Sequence, residues 1–305
     1  MSAYLLRRLF RALVTLLLVS TAVFSAVRVS GDPIVMLAGD NATPEDIQRL
    51  REQYGLAEPL PIQYLLFIRS LLVGDFGDSI RQSQPALGLA LDRVPATVQL
   101  ASASILLAIL VALPVGVLAA IRRNSSWDRI IMAFALVGQS APTFWIGLML
   151  ILIVSVQLGL LPTGGEGDWR NLILPTITLA SWSMAAIARL VRSAMLDVLR
   201  EDYLRTARAK GLKETVVITR HALRNAAIPV ITMIGLQMGA LFGGSVVTET
   251  VFAWPGIGRL ALQSIYWRDY PVVQAVVFLV AVSFVFINLM VDVVYIWLDP
   301  RIRYD

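Results

Sequence analysis

Long apolar runs separated by short polar ones dominate this chain, and their lengths suit bilayer crossing better than burial in a globular core. A crossing helix needs about 20 mostly apolar residues. Runs of that order lie at 9–27, 96–121, 130–158, 172–191, 229–248 and 272–297, which predicts an all-α integral membrane protein with six transmembrane helices. The third run would be roughly 44 Å long as a straight helix, more than the ~30 Å apolar core, so tilt or a bend at Pro142 is expected. Pro114 removes a backbone donor from the second run and predicts a kink there. The first run follows Arg7, Arg8 and Arg11, as a signal peptide's would, and Ser25-Ala26-Val27 loosely suits cleavage. Its length and the further spans favour an uncleaved first helix.

The polar positions predict what lies between. After the first span come roughly 65 residues, Arg28 to Pro95, before the second. Within them Thr43 reads as an N-cap, with Pro44 at the first helical position and Glu45 and Asp46 in the first turn. Ile47, Leu50 and Tyr54 then share one face. The run Ile62 to Val73 is apolar but too short to span, so it lies at the interface or packs on the bundle. Gly74 to Asp78 reads as a loop, as do Gly164, Gly165 and Gly167. Arg189 to Pro229 is polar and basic; it reads as two short helices hinged at Gly211, the first continuing from span 4 with Leu196, Leu199, Tyr203 and Ala207 on one face.

Composition removes several functions. Hydrophobic positions make up 57% and charged ones 15%, outside the soluble globular range. With no cysteine there is no disulfide framework, thiolate chemistry or cysteine zinc site. The single histidine, His221, excludes HExxH, argues against a Ser–His–Asp site, and reads as a surface or docking residue. The net charge of +5 is explained by its location rather than by nucleic acid. With the N-terminus inside, 17 of the 26 Lys and Arg fall on that side. The short loops opposite hold only Arg170, Arg259 and Arg268, so both termini are expected in the cytoplasm and residues 28–95 outside.

The spans are also nearly free of ionisable groups. None occurs in 96–121, 130–158, 172–188 or 228–248, and Asp292 near the inner end of span 6 reads as interfacial. Ion-coupled carriers keep such groups at mid-membrane, so a free-standing secondary carrier is the weaker alternative. Lys210 and Lys213 are followed by Gly211 and Glu214, so no Walker A loop is present. This chain therefore cannot be its own P-loop ATPase.

That leaves the polar stretch. Its charged residues Arg200, Glu201, Asp202, Arg205, Arg208 and Lys210 flank the small residues Thr206, Ala207, Ala209 and Gly211, which suits a polar docking surface with close backbone approach. A basic juxtamembrane loop touching lipid headgroups fits the same residues. Here the motifs become specific. Arg205-Thr206-Ala207 followed by Gly211 resembles the cytoplasmic "EAA" loop of ABC importer inner-membrane permeases. Arg205 and Thr206 stand where Glu and Ala are usual, and His221-Ala222-Leu223-Arg224 replaces Ile-x-Leu-Pro; both departures resemble the dipeptide/oligopeptide/nickel (DppB/OppB-like) branch. Gly31-Asp32-Pro33, Tyr54-Gly55-Leu56, Gly74-Asp75-Phe76-Gly77, Arg93-Val94-Pro95-Ala96-Thr97 and Glu249 through Gly258 resemble landmarks of the same branch, in order.

The resemblance implies one half of a channel importing short peptides, or nickel, glutathione or opine-like solutes. It would pair with a second homologous permease as a heterodimer, two ABC ATPase subunits and an extracytoplasmic substrate-binding protein, in the cytoplasmic (inner) membrane. The resemblance also implies that the partner ATPases bind the ATP and Mg, leaving this chain a cofactor-free, non-enzymatic transport subunit. The expected layout is 1–27 for the N-terminus and first helix, 28–95 outside, 96–298 for the permease domain with its coupling loop at about 193–228, and 299–305 for the tail. ATPase coupling is assigned to Glu201, Asp202, Tyr203, Arg205, Thr206, Ala207, Ala209, Lys210 and Gly211. Glu249, Phe252, Trp254, Pro255 and Gly256 form either an outer gate and binding-protein contact or a structural cap. Gln139, Ser140, Thr143, Met233, Gln237 and Met238 are candidates for a polar translocation path, with buried polar packing equally open. Gly235, Gly239 and Gly243 recur every four residues, a face for close helix packing.

Overall fold

The computed structural model describes residues 2–29, 43–53 and 57–298. Gly31-Asp32-Pro33, Tyr54-Gly55-Leu56 and the tail 299–305 lie outside the described residues, as does the side chain of Asp292. Among the described residues the chain is helical with no strand: α1 Ser2–Val29, α2 Pro44–Gln53, α3 Leu60–Val73, α4 Ala86–Leu91, α5 Val94–Ile121, α6 Ser126–Ser140, α7 Thr143–Leu150, α8 Arg170–Val198, α9 Asp202–Ala209, α10 Glu214–Val216, α11 Leu223–Val251, α12 Ile257–Tyr266 and α13 Tyr270–Leu298. Among the described residues four stretches are long and apolar enough to cross a membrane: Phe10–Val29, Ala86–Ile121, Arg170–Val198 and Tyr270–Val291. The pair Ser126–Ser140 and Thr143–Gln157 makes a fifth if counted as one span.

The bend expected at Pro142 is present and large: the two halves of that pair meet at 105°. Ala141 is extended (φ −73°, ψ 133°) because the following proline ring keeps it out of the helical region. Beyond α7 the backbone widens into a π-helix, Ile151–Gln157. Pro114, Pro175 and Pro229 lie inside α5, α8 and α11, each of which runs on past its proline. A second π-helix, Val217–Ala222, joins α10 to α11, so helical structure runs from Glu214 to Val251.

The chain divides into two compact units. The first comprises residues 1–95 and 259–286. Thr43 caps α2 as its sequence predicts: its hydroxyl accepts from the Asp46 amide (3.2 Å), and the Asp46 carboxylate accepts from the Thr43 amide (3.1 Å). The short α3 packs on α1 through Phe24, whose ring meets Tyr64 edge-on at 5.1 Å and Phe67 at 5.6 Å. Arg28 adds two hydrogen bonds to Gln63 at 3.1 and 2.7 Å. The buried Asp269 carboxylate fixes the loop before α4, accepting from the Ser79 hydroxyl and the Ile80 amide.

The second unit comprises residues 96–258 and 287–303. Its core is built on α8, which packs against α6, α7 and α11. Ala108, Ala112, Ala180 and Ala188 line the interior beside Leu100, Ile187, Val191 and Met195, and alanines let helices approach closely. Gly235 lies against Val291, so this glycine of the four-residue repeat serves packing within the chain. Asp128 and Arg192 join α6 to α8 through a bidentate ion pair of 2.6 and 2.8 Å. Beside it opens a cavity of about 480 Å³ lined by Asn124, Asp128, Arg129, Met132 and Arg192.

Candidate functional site

The helix of span 4 does not run into the polar stretch as its periodicity suggests. α8 ends at Val198, and Glu201 is extended (φ −70°, ψ 142°) before α9 begins at Asp202. The reason is tertiary: a separate α9 can turn back and bury Leu204 and Ala207 in the same core as Met195, Val217 and Ala222. Tyr203, on the neighbouring face, stays 40% exposed.

Three attachments hold α9 against the start of the return helix. Leu204 and Ala207 supply the apolar one. Asn225 donates to the Tyr203 hydroxyl at 2.8 Å. The Arg208 guanidinium makes two hydrogen bonds to Glu214, 3.1 and 2.9 Å, across the connecting turn. These donated bonds hold the Glu214 carboxyl below its ordinary range and raise Arg208 above its own. Gly211 makes the turn at φ +76°, a left-handed conformation that costs other residues roughly 1–2 kcal/mol. The outward side is left to Glu201, Asp202, Arg205, Thr206, Ala209 and Lys210, all exposed. The result is a short rigid spur with a mixed-charge outer face and a buried apolar root.

The sequence leaves the segment after α11 open between an outer gate and a structural cap. Phe252 and Trp254 are 1% and 5% exposed, and Glu249 is fully buried. The Glu249 carboxyl accepts from the Thr97 hydroxyl (2.7 Å) and the Ser245 hydroxyl (2.9 Å). Thr97 in turn accepts from the Ile257 amide at 2.8 Å, and the Trp254 indole donates to the Ala96 carbonyl at 2.9 Å. The glycine loop closes over the same turn, where the Gly165 amide donates to the Phe252 carbonyl at 2.7 Å. This is the geometry of a cap: the aromatic side chains face inward.

Two family models match the chain. Residues 1–101 match the "Binding-prot-dependent transport system membrane comp, N-term" model, and residues 112–304 match "Binding-protein-dependent transport system inner membrane component". The chain belongs to this permease family. The glutathione transport system permease protein GsiC of Salmonella choleraesuis is 46% identical over 99% of both chains, and that of Escherichia coli K12 is 45% identical over the same share. Among solved structures, the inward-facing MetNI methionine ABC transporter superposes on 69% of this chain and 96% of its own, with a TM-score of 0.60 at 22% identity. An amino acid ABC transporter follows at 0.52 and 15%. These two show the fold.

The protein is thus an ABC importer inner-membrane permease of the peptide/oligopeptide type, a membrane-spanning transport subunit. Within this permease the six path candidates are spread over two regions. Gln139, Ser140 and Thr143 flank the 105° bend, Gln139 and Thr143 half-buried and Ser140 exposed. Met233, Gln237 and Met238 lie on α11: Gln237 is 3% exposed, Met238 40% exposed and Met233 half-buried. Sequence reasoning missed the roles of Thr97, Asp128, Arg192 and Asn225 in the permease. Thr97 was visible as part of a landmark; Asp128 and Arg192, 64 residues apart, carried no local sign of pairing.

Proposed function

We infer that this permease forms half of an ATP-driven channel importing short peptides, glutathione (itself a tripeptide) among them. The observation that carries the reading is full-length similarity, 46% identity over 99% of the chain, to permeases named for glutathione transport. In this reading α9 and its turn, Tyr203 to Gly211, are the surface on which an ATPase docks. The buried root of α9 passes ATPase motion into the α10–α11 run as a rigid-body displacement. A second permease, two ATPases and an extracytoplasmic binding protein complete the machine.

Six crossings, with both termini and the α9 spur in the cytoplasm, give the arrangement that basic residues favour. The α11 run and the bent α6–α7 pair supply the two crossings beyond the four that stand alone. The segment from Glu249 to Gly256 acts as an outer gate by moving as a capped unit, its aromatic side chains turned inward.

Uptake of labelled glutathione and dipeptides by cells carrying the whole operon, with and without this chain, tests the cargo. Loss of ATP-dependent uptake of these solutes on deletion is expected; unchanged uptake would refute it. Co-purification with an ATPase subunit tests the docking surface, and its abolition by Arg205→Glu with Lys210→Glu is the expected result.

A further inference from the structure

The cavity beside the Asp128–Arg192 pair has no part in the transport roles assigned above. It lies in the second unit, where the turn between α5 and α6 meets α8, and Asn124, Asp128, Arg129, Met132 and Arg192 line it. Its volume of about 480 Å³ falls within the roughly 300–1,000 Å³ of small-ligand sites. Arg192 is close to the end of α8 at Val198, so the cavity sits at the same end of that helix as the α9 spur.

Its one carboxylate is already neutralised. Asp128 is buried, and Arg192 holds its two oxygens through Nε at 2.6 Å and Nη2 at 2.8 Å. The Asn124 backbone amide adds a third bond at 2.9 Å. What remains around the cavity is positive. Arg129 lines it and is exposed, and Arg122 and Arg123 stand exposed in the adjoining turn. Among the described residues none of these three guanidinium groups makes a hydrogen bond or ion pair. Arg123 is near enough to act on the Asp128 carboxylate through its charge alone. Asp128 is the only acidic residue from Ile121 to Ile130, so nothing else in the turn offsets the three arginines.

The surroundings mark this as the level where membrane meets water. α5 ends at Ile121 and α6 begins at Ser126, so the turn closes the ends of two apolar helices. Trp127, 56% exposed, is the residue type that gathers at that boundary. Arg129, Ala133 and Leu136 recur at spacings of four and three, which puts them on one side of α6, and all three are exposed. Met132 gives the cavity an apolar wall on the same helix. Read away from the turn, that side passes from a guanidinium to apolar groups, the order of a phospholipid from its phosphate to its chain. Guanidinium forks match phosphate oxygens, and basic pockets between membrane helices take anionic headgroups.

We propose that this cavity binds the headgroup phosphate of an anionic phospholipid from the leaflet on the spur side. Arg129 is its principal ligand, Arg122 and Arg123 add to the attraction, and an acyl chain lies along Ala133 and Leu136. A free phosphate carries the same charge without the chain, so the two sources separate by experiment. The inference goes beyond the transport reading and does not depend on the cargo.

The test uses the full transporter purified in detergent and given phosphatidylglycerol and phosphatidylcholine in equal amounts, with the retained lipids counted by native mass spectrometry. The parent should retain phosphatidylglycerol in preference. Arg129→Gln should weaken that retention about fivefold, the share of one arginine beside an anionic surface. Met132→Trp fills the cavity without changing a charge and should reduce retention as well. Arg220→Gln removes an exposed arginine elsewhere on the chain and should match the parent. Melting temperatures without added lipid should be equal for the parent and Arg129→Gln, since that side chain holds nothing in the lipid-free protein. Equal retention of the two lipids, or an equal loss in Arg129→Gln and Arg220→Gln, would overturn the site. Protection of the parent by inorganic phosphate as strong as that by phosphatidylglycerol, in the same melt, would assign the cavity to a free anion and overturn the lipid.

Discussion

Replacing Thr97 with valine should loosen the cap after α11, and the structure sets the size of the effect. The substitution keeps the shape of the side chain and removes one hydroxyl that serves two partners: it donates to Glu249 at 2.7 Å and accepts from the Ile257 amide at 2.8 Å. Thr97 and Glu249 are both fully buried, so water does not replace what is lost. Leaving the Ile257 amide without a partner costs about 1–3 kcal/mol, and the lost bond to the Glu249 carboxyl adds about 1 kcal/mol. The sum is roughly 2–4 kcal/mol, which for a chain of this size lowers the melting temperature by about 3–6 °C. The seven tryptophans permit a fluorescence melt in detergent. Thr97→Ser keeps the hydroxyl and should lose about 1 kcal/mol through its missing methyl group. Gly256→Ala places a Cβ on the Glu249 carboxyl itself, so it disrupts the same knot. Combined with Thr97→Val it should cost less than the two separate losses together. A Thr97→Val protein melting within 1 °C of the parent by this assay would refute the argument, since the hydroxyl would then hold nothing.

Three further outcomes follow from other parts of the molecule. Gly211→Val forces a branched residue to φ +76° and should cost roughly 1–2 kcal/mol, with ATP hydrolysis uncoupled from uptake while membrane insertion persists; normal transport would sink the docking assignment. The Arg208–Glu214 bridge depresses the Glu214 pKa, so its contribution, about 0–1 kcal/mol for so exposed a pair, is complete above the ordinary value of 4.5 and lost as pH falls through the lower folded value. Glu214→Gln should flatten that part of a pH-melting profile. Asp128→Ala strips Arg192 of its bidentate carboxylate and should cost about 2–3 kcal/mol in a denaturation midpoint, with partial recovery when Arg192→Leu is added.

The resemblance to the permease family, the apolar runs and the place of the α9 spur are legible in order along the chain, because each rests on residues within a few turns of one another. Run length alone marks Phe10–Val29, Arg170–Val198 and Tyr270–Val291 as able to cross. Pro142 alone announces the bend, since a proline constrains its own backbone and that of the residue before it. Gly211 likewise declares its turn.

What escapes the sequence is which side of a helix or turn faces the interior. Phe252 and Trp254 follow a helix end beside Pro255 and Gly256, which fits an exposed aromatic turn as well as a buried one. Their inward orientation depends on Thr97 and Ala96, more than 150 residues away. The break after Val198 is of the same kind: α9 gains more by turning to bury Leu204 and Ala207 than by extending α8.

The sequence by itself determined that this is a membrane permease, where its apolar segments lie and which stretch is too polar to cross, because hydropathy, proline and glycine act locally. Only the tertiary structure decided that the turn after α11 is a cap knotted on Glu249 and that the spur has a buried root. Those outcomes depend on which distant side chains meet, and burial turns each such meeting into kilocalories.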